Sequence, residues 1–162
     1  MRRLFTLGMI AALALFATAA VATATPPKTA TLTFDMQVTG DGVASGTWSA
    51  TSALAALEGK TGTVTQTFRI TGKGKGKGAK AGQIVHGHKT VTTSAGNTFH
   101  LYFRGHMKPT SATTGQVNGR FVLKKGTGEF EGLKGTGKIS ATLNFQTGEL
   151  DATYTVKVHQ HG

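Results

Sequence analysis

The fold class predicted by this sequence is all-β, a single eight-stranded antiparallel up-and-down β-barrel following a cleaved signal peptide. Three observations predict it. Period-two alternation of apolar and polar residues runs through most of the chain, while helical periodicity is nearly absent. Glycine-bearing turns such as Asp41-Gly42 and Thr147-Gly148 punctuate the alternating runs. The third is the stretch Gly126–Gly137 (GTGEFEGLKGTG), in which Lys125–Phe130 (KGTGEF) is echoed nine residues later by Lys134–Ile139 (KGTGKI). Each Gly-Thr-Gly can turn a corner, and Phe130 and Leu133 are two apolar teeth between the corners, placed to cap the end of a core.

Met1–Ala24 reads as a targeting segment. Arg2 and Arg3 give the positive start, Leu4–Phe16 is mostly apolar, and Ala22-Thr23-Ala24 supplies a small-residue cleavage pattern. Export to the periplasm or outside is therefore expected. Residues 25–28 form a linker, 29–159 the barrel domain and 160–162 a tail. There is no cysteine, so disulfides and thiolate metal sites are excluded, and stability must come from the core. The ~138 residues after Ala24 suffice for one domain. Removing Arg2 and Arg3 lowers the formal charge from +11 to +9, which attracts polyanions and also keeps a Gly- and Thr-rich barrel in solution. An outer-membrane barrel would need an outward apolar band with aromatic girdles. With 12 aromatic residues and strand faces of Thr and Lys, a soluble barrel is the expectation.

The strands follow in order. Thr29–Thr39 places Ala30, Leu32, Phe34, Met36 and Val38 on one face, and Val43–Thr51 places Ala44, Gly46, Trp48 and Ala50 likewise. Ser52–Gly59 (SALAALEG) is the one helical candidate, a lid or corner with Ser52 as N-cap and Gly59 as terminator. Thr61–Thr71 sets Val64, Gln66, Phe68 and Ile70 opposite a row of Thr. Gly72–Gly78 (GKGKGKG) cannot bury apolar surface and reads as a cationic loop. Gln83–Thr93 and Asn97–Lys108 form a hairpin around Ser94-Ala95-Gly96, whose register pairs His86 with Arg104 and His88 with Tyr102. Gln116–Lys124, Lys138–Gln146 and Glu149–His159 complete the barrel.

Gly126–Gly137, where G-T-G-x-F-x-G-L-x-G leads into the final hairpin, and the preceding Gly119–Leu123 (GRFVL) resemble the allene oxide cyclase-type barrel superfamily. That superfamily includes dirigent proteins and exported bacterial domains of uncharacterised function. The match covers roughly the last 50 residues. The resemblance implies a lumen that takes a small lipophilic or aromatic molecule, in some members with cyclisation or coupling. The acidic and tyrosine residues of those enzymes have no counterpart placed here, so activity is not carried over.

Among the inward rows stand Gln66, Lys89 and Tyr154, with Trp48 adding an indole N–H, and Gly87, Gly105, Gly119, Ala141 and Ala152 leaving room. A buried, unpaired ammonium is costly or loses its proton, and no Asp or Glu lies on an inward row. The site reading is that Lys89 meets the carboxylate of a lipophilic ligand while Gln66, Tyr154 and Trp48 help to bind it. The alternatives are a bulge turning Lys89 outward, or a stem reaching solvent at the barrel mouth. A cyclase or isomerase acting in the same cavity is the second reading of function. A third is polyanion binding through Lys73, Lys75, Lys77 and Lys80 of the Gly-Lys loop, which otherwise is a solvated tip.

His86, His88 and His100 share the outward face with Tyr102, Arg104 and His106, a spacing that could grip zinc or copper. Arg104 among them and the absence of a carboxylate argue against a cation, so neither metal nor organic cofactor is expected. Gly132–Lys138 almost spells a phosphate-cradling loop, but Ile139 stands where Ser or Thr is required and a strand follows. No serine sits in a nucleophile turn.

Overall fold

The computed structural model describes residues 26–73 and 82–161. Met1–Ala24 and the lysines at 75, 77 and 80 lie outside the described residues, and only the backbone of Lys73 is described. Eight strands run as β1 (Lys28–Gly40), β2 (Val43–Ser52), β3 (Thr61–Lys73), β4 (Gln83–Thr93), β5 (Thr98–Pro109), β6 (Thr114–Lys124), β7 (Leu133–Asn144) and β8 (Glu149–Gln160). Each pairs antiparallel with the next, and β8 pairs with β1, so the sheet closes into a barrel in sequence order. Closure leaves no edge strand for association.

Burial follows the period-two pattern. The inward rows of β1 (Ala30, Leu32, Phe34, Met36), β5 (Phe99, Leu101, Phe103, Met107) and β8 (Leu150 through Val158) supply much of one continuous core. The β4–β5 register places Val91 opposite Phe99, His86 opposite Arg104 and His88 opposite Tyr102, as the parity argument requires. Gly96 there takes a φ of 82°, open to glycine at little cost.

One end of the barrel is plugged. Leu57 from the β2–β3 connection and Phe130 from the β6–β7 connection are fully buried, and Leu133 is nearly so. Phe130 meets Phe99 edge-on at 4.9 Å, and Phe99 meets Trp48 at 5.4 Å. The two connections are joined by an ion pair between Lys60 and Glu129, and Asn97 Nδ2 donates to the same carboxylate at 3.2 Å. Gln160 Nε2 donates to the carbonyls of Glu129 and Glu131 at 2.7 and 2.9 Å, fixing the plug to β8.

Three local expectations are corrected. Ser52–Gly59 forms hydrogen-bonded turns, not a helix: Leu57 N and Glu58 N both bond to Leu54 O, and Ser52 N is held by the Glu58 carboxylate at 2.7 Å. Barely two turns cannot repay helix nucleation, but one turn suffices to drive Leu57 into the core. The second Gly-Thr-Gly does not turn a corner. It lies inside β7, where Gly137 stands opposite Phe121 and an added Cβ would fall 2.8 Å from that ring. Finally, β7 and β8 are joined by residues 145–148, not by Thr147-Gly148 alone. Asn144 Oδ1 accepts from Gln146 N and Thr147 N at 2.9 and 3.2 Å, a side-chain-made turn that shifts pairing by two residues and so leaves the faces unchanged.

Candidate functional site

Because Leu57 and Phe130 close one end, the free space in the lumen lies towards the other. There the β1–β2, β5–β6 and β7–β8 connections, with the end of β3 and the start of β4, surround the mouth. The cavity holds about 30 Å³, room for about two water molecules. Its walls are apolar apart from Gln66, Lys89 and Tyr154. Rings of adjacent strands take the space above two of the inward glycines. Phe103 lies over its neighbour Gly87, where a Cβ would fall 2.9 Å from the ring, and Phe121 lies over Gly137.

Lys89 points inward and is 0% exposed; neither a bulge nor a solvent-seeking stem rescues it. β3 and β4 pair it with Gln66, whose Oε1 accepts a hydrogen bond from Nζ. Nζ also donates to Met36 Sδ at 3.2 Å. Three rings surround it, with centroids at 4.8 Å (Phe34), 5.2 Å (Tyr154) and 5.7 Å (Phe103). Burial holds the ammonium's pKa well below the ordinary lysine value, and no carboxylate is present to oppose it. The two acceptors match the two N–H bonds of a neutral amine. A third N–H, present when the group is charged, has only the three ring faces to meet, whereas the neutral form carries a lone pair there. The same burial raises the Tyr154 phenol, which therefore stays protonated.

Of the sequence-predicted set, the fold brings together Lys89, Gln66 and Tyr154. Trp48 stands apart, with its indole N–H donated to Thr92 O at 3.1 Å near the plugged end. Alternation put all four on inward rows, but only strand stagger separates the two ends. The rim was not singled out from sequence. Phe68 and Leu143 are half-buried there, while Ile70 and Phe145 are each 43% exposed. The signal was present, since inward rows that stay apolar to their last residues have nothing left to pack on.

The weak metal candidates do not converge. His88 Nδ1 bonds Thr67 Oγ1 at 2.9 Å and His100 Nδ1 bonds Thr90 Oγ1 at 3.2 Å, each across its own strand pair. His100 is held below its usual pKa, first by burial, then by His88 and Lys125. Among the described residues no three His, Asp or Glu side chains gather as a metal site.

Comparison with family models, with curated proteins and with solved structures finds no match for this chain. The class of protein that fold and site define is thus a closed eight-stranded barrel with a polar cluster in an apolar lumen.

Proposed function

We propose that the barrel binds a small lipophilic carboxylic acid at its mouth, the acid group reaching Lys89. The supporting observation is the wholly buried amine, bonded to Gln66 and Met36, without a carboxylate partner and lining the cavity. The acid binds as its carboxylate while the amine takes up a proton from solvent, and the resulting carboxylate–ammonium pair forms where screening is weak. Tyr154 and Gln66 line the same space and can hydrogen-bond the carboxylate or an adjacent polar atom. The cavity admits little more than the head group, so the apolar remainder displaces Phe68, Ile70, Leu143 and Phe145 at the rim. The resemblance of Gly119–Leu123 and Gly126–Gly137 to allene oxide cyclase-type barrels supports a lumenal ligand, and Arg2, Arg3, Leu4–Phe16 and Ala22–Ala24 support export.

Calorimetric titration with a panel of fatty and aromatic acids, run in two buffers of different ionisation enthalpy, tests this reading. Above the amine's lowered pKa, binding takes up close to one proton per ligand, and Lys89→Met abolishes both binding and uptake. Undiminished binding by that variant would end the proposal. Conversion of the bound acid to an isomer would extend the reading to a cyclase. Heparin retention lost on trimming residues 72–80 would favour the Gly-Lys loop as the functional element.

A further inference from the structure

The outer surface of the barrel carries its charge unevenly. Strands β3 to β7 contain no Asp or Glu at all; the seven carboxylates lie on β1 and β8 or in connections. On β1 and β8, Asp35 stands directly opposite Asp151. On the far side, Arg104 of β5 stands opposite Arg120 of β6, and Arg120 opposite Lys138 of β7. His86 and Arg69 continue the row across β4 and β3, and Asp41 borders only its outermost end. Like charges placed directly opposite destabilise a sheet, and no ion pair to these side chains offsets that among the described residues.

Arg104, Arg120 and Lys138 flank a shallow groove of about 720 Å³ on the outside of β5–β7. Tyr102, Val122 and Thr136 form the adjoining cross-strand row, with Val122 44% exposed. Lys124 and Lys125 reach over Tyr102, with ammonium groups 4.8 and 5.9 Å from its ring centroid. Lys125 does so from a φ of 60°, a backbone conformation uncommon for a residue with a Cβ. The groove thus combines cationic walls, a small apolar floor and a hydroxyl.

We propose that this groove docks a linear acidic polysaccharide, its carboxylates or sulfates on Arg104, Arg120 and Lys138 and the C–H face of a sugar ring against Val122. Adjacent strands are ~4.8 Å apart, so the three cations span about 10 Å of polymer. A single-stranded nucleic acid fits less well, because sequence-tolerant binding of that kind uses free aromatic platforms. Apart from histidines, Tyr102 is the only aromatic residue on the described outward rows of β3–β7, and it is already stacked by His88 at 6.1 Å. This inference is independent of the lumen, since none of these three cations lines the inner cavity.

The experiment immobilises heparin and polygalacturonate and measures affinity against salt for the wild-type protein, R104A/R120A/K138A and the control K28A/K108A, with an oligothymidylate as a third probe. All the substituted side chains are exposed, and circular dichroism checks folding of each variant. The triple variant is expected to lose roughly tenfold or more in polysaccharide affinity at low salt and to flatten the log–log salt slope by about three. The control loses less than about threefold, and trimming residues 72–80 leaves the triple variant's deficit intact. Equal losses in triple variant and control, loss only on trimming the loop, no polysaccharide binding by the wild type, or tighter binding of oligothymidylate would each overturn the proposal.

Discussion

Lys89→Met should make this protein more stable near neutral pH and remove an unusual alkaline stabilisation. The wild-type amine is fully buried, with a folded-state pKa well below the ordinary lysine value that applies in the unfolded chain. Between those two values the unfolded chain binds one more proton than the native state, so stability rises with pH and falls as pH is lowered through the window. The limiting slope is about 1.4 kcal/mol per pH unit. Each pH unit climbed inside that window is therefore worth roughly 3–6 °C in Tm for a domain of this size. Tyr154 acts in the opposite sense: its raised pKa gives stability that is lost as pH rises above the ordinary tyrosine value, so the window closes near pH 10. Met fills nearly the same volume without the desolvation cost, so the variant starts higher and lacks this increment. Urea unfolding followed by tryptophan fluorescence, repeated across that window on both proteins, measures it. Parallel pH profiles would refute the reasoning, because they would mean that the buried amine titrates as it does in water.

Glu129→Ala removes the acceptor shared by Lys60 and Asn97; partial exposure limits the loss to ~0.5–1 kcal/mol in a denaturant midpoint. The lowered carboxyl pKa makes this contribution present above the ordinary glutamate value and lost as pH falls through the lowered one, so the deficit should shrink in acid. Phe130→Ala empties the plug and should cost about 3–5 kcal/mol, read by chemical denaturation. Gly87→Ala should lower Tm sharply, since the new Cβ would fall 2.8 Å from Phe68 Cα, a backbone atom that cannot step aside. A wild-type melting curve there would contradict the close approach of the β3 backbone to that glycine.

Strand order, barrel closure and the facing of Lys89, Gln66 and Tyr154 were legible because alternation has only two phases and closure hides one of them. His86 opposite Arg104 followed from turn length and parity alone. Four kinds of information were not legible. Asn144 makes its turn through a side-chain oxygen, which competes invisibly with a Thr-Gly hairpin in a string of letters. Gly135–Gly137 copies a corner motif, yet Gly137 is needed inside a strand so that Phe121 can lie across it. The cationic groove arises from lateral register across β5–β7, whereas Arg104, Arg120 and Lys138 are spread over 35 residues of sequence. Cavity volume likewise depends on which ring leans over which glycine, and that is decided across strands.

Gln66 and Lys89 offer a sharper discrimination between structure and function than either residue alone. If the pair were retained to hold β3 against β4, replacing both side chains should weaken the barrel. Yet the backbone ladder already joins those strands from Gly62–Thr93 to Lys73–Gln83, and the inward positions around the pair are apolar. Burying an amide and an amine there costs several kcal/mol before any hydrogen bond is counted, and one such bond returns about 1 kcal/mol net. Q66L/K89M should therefore be more stable than the wild type by ~1–4 kcal/mol, as with other buried polar groups exchanged for packed apolar ones. Gln66→Leu alone should be destabilising, because it strips Nζ of its oxygen acceptor. A thermodynamic cycle over the four proteins separates the two terms. A double variant less stable than the wild type would make the pair a structural device and remove the main reason for expecting a ligand in the lumen.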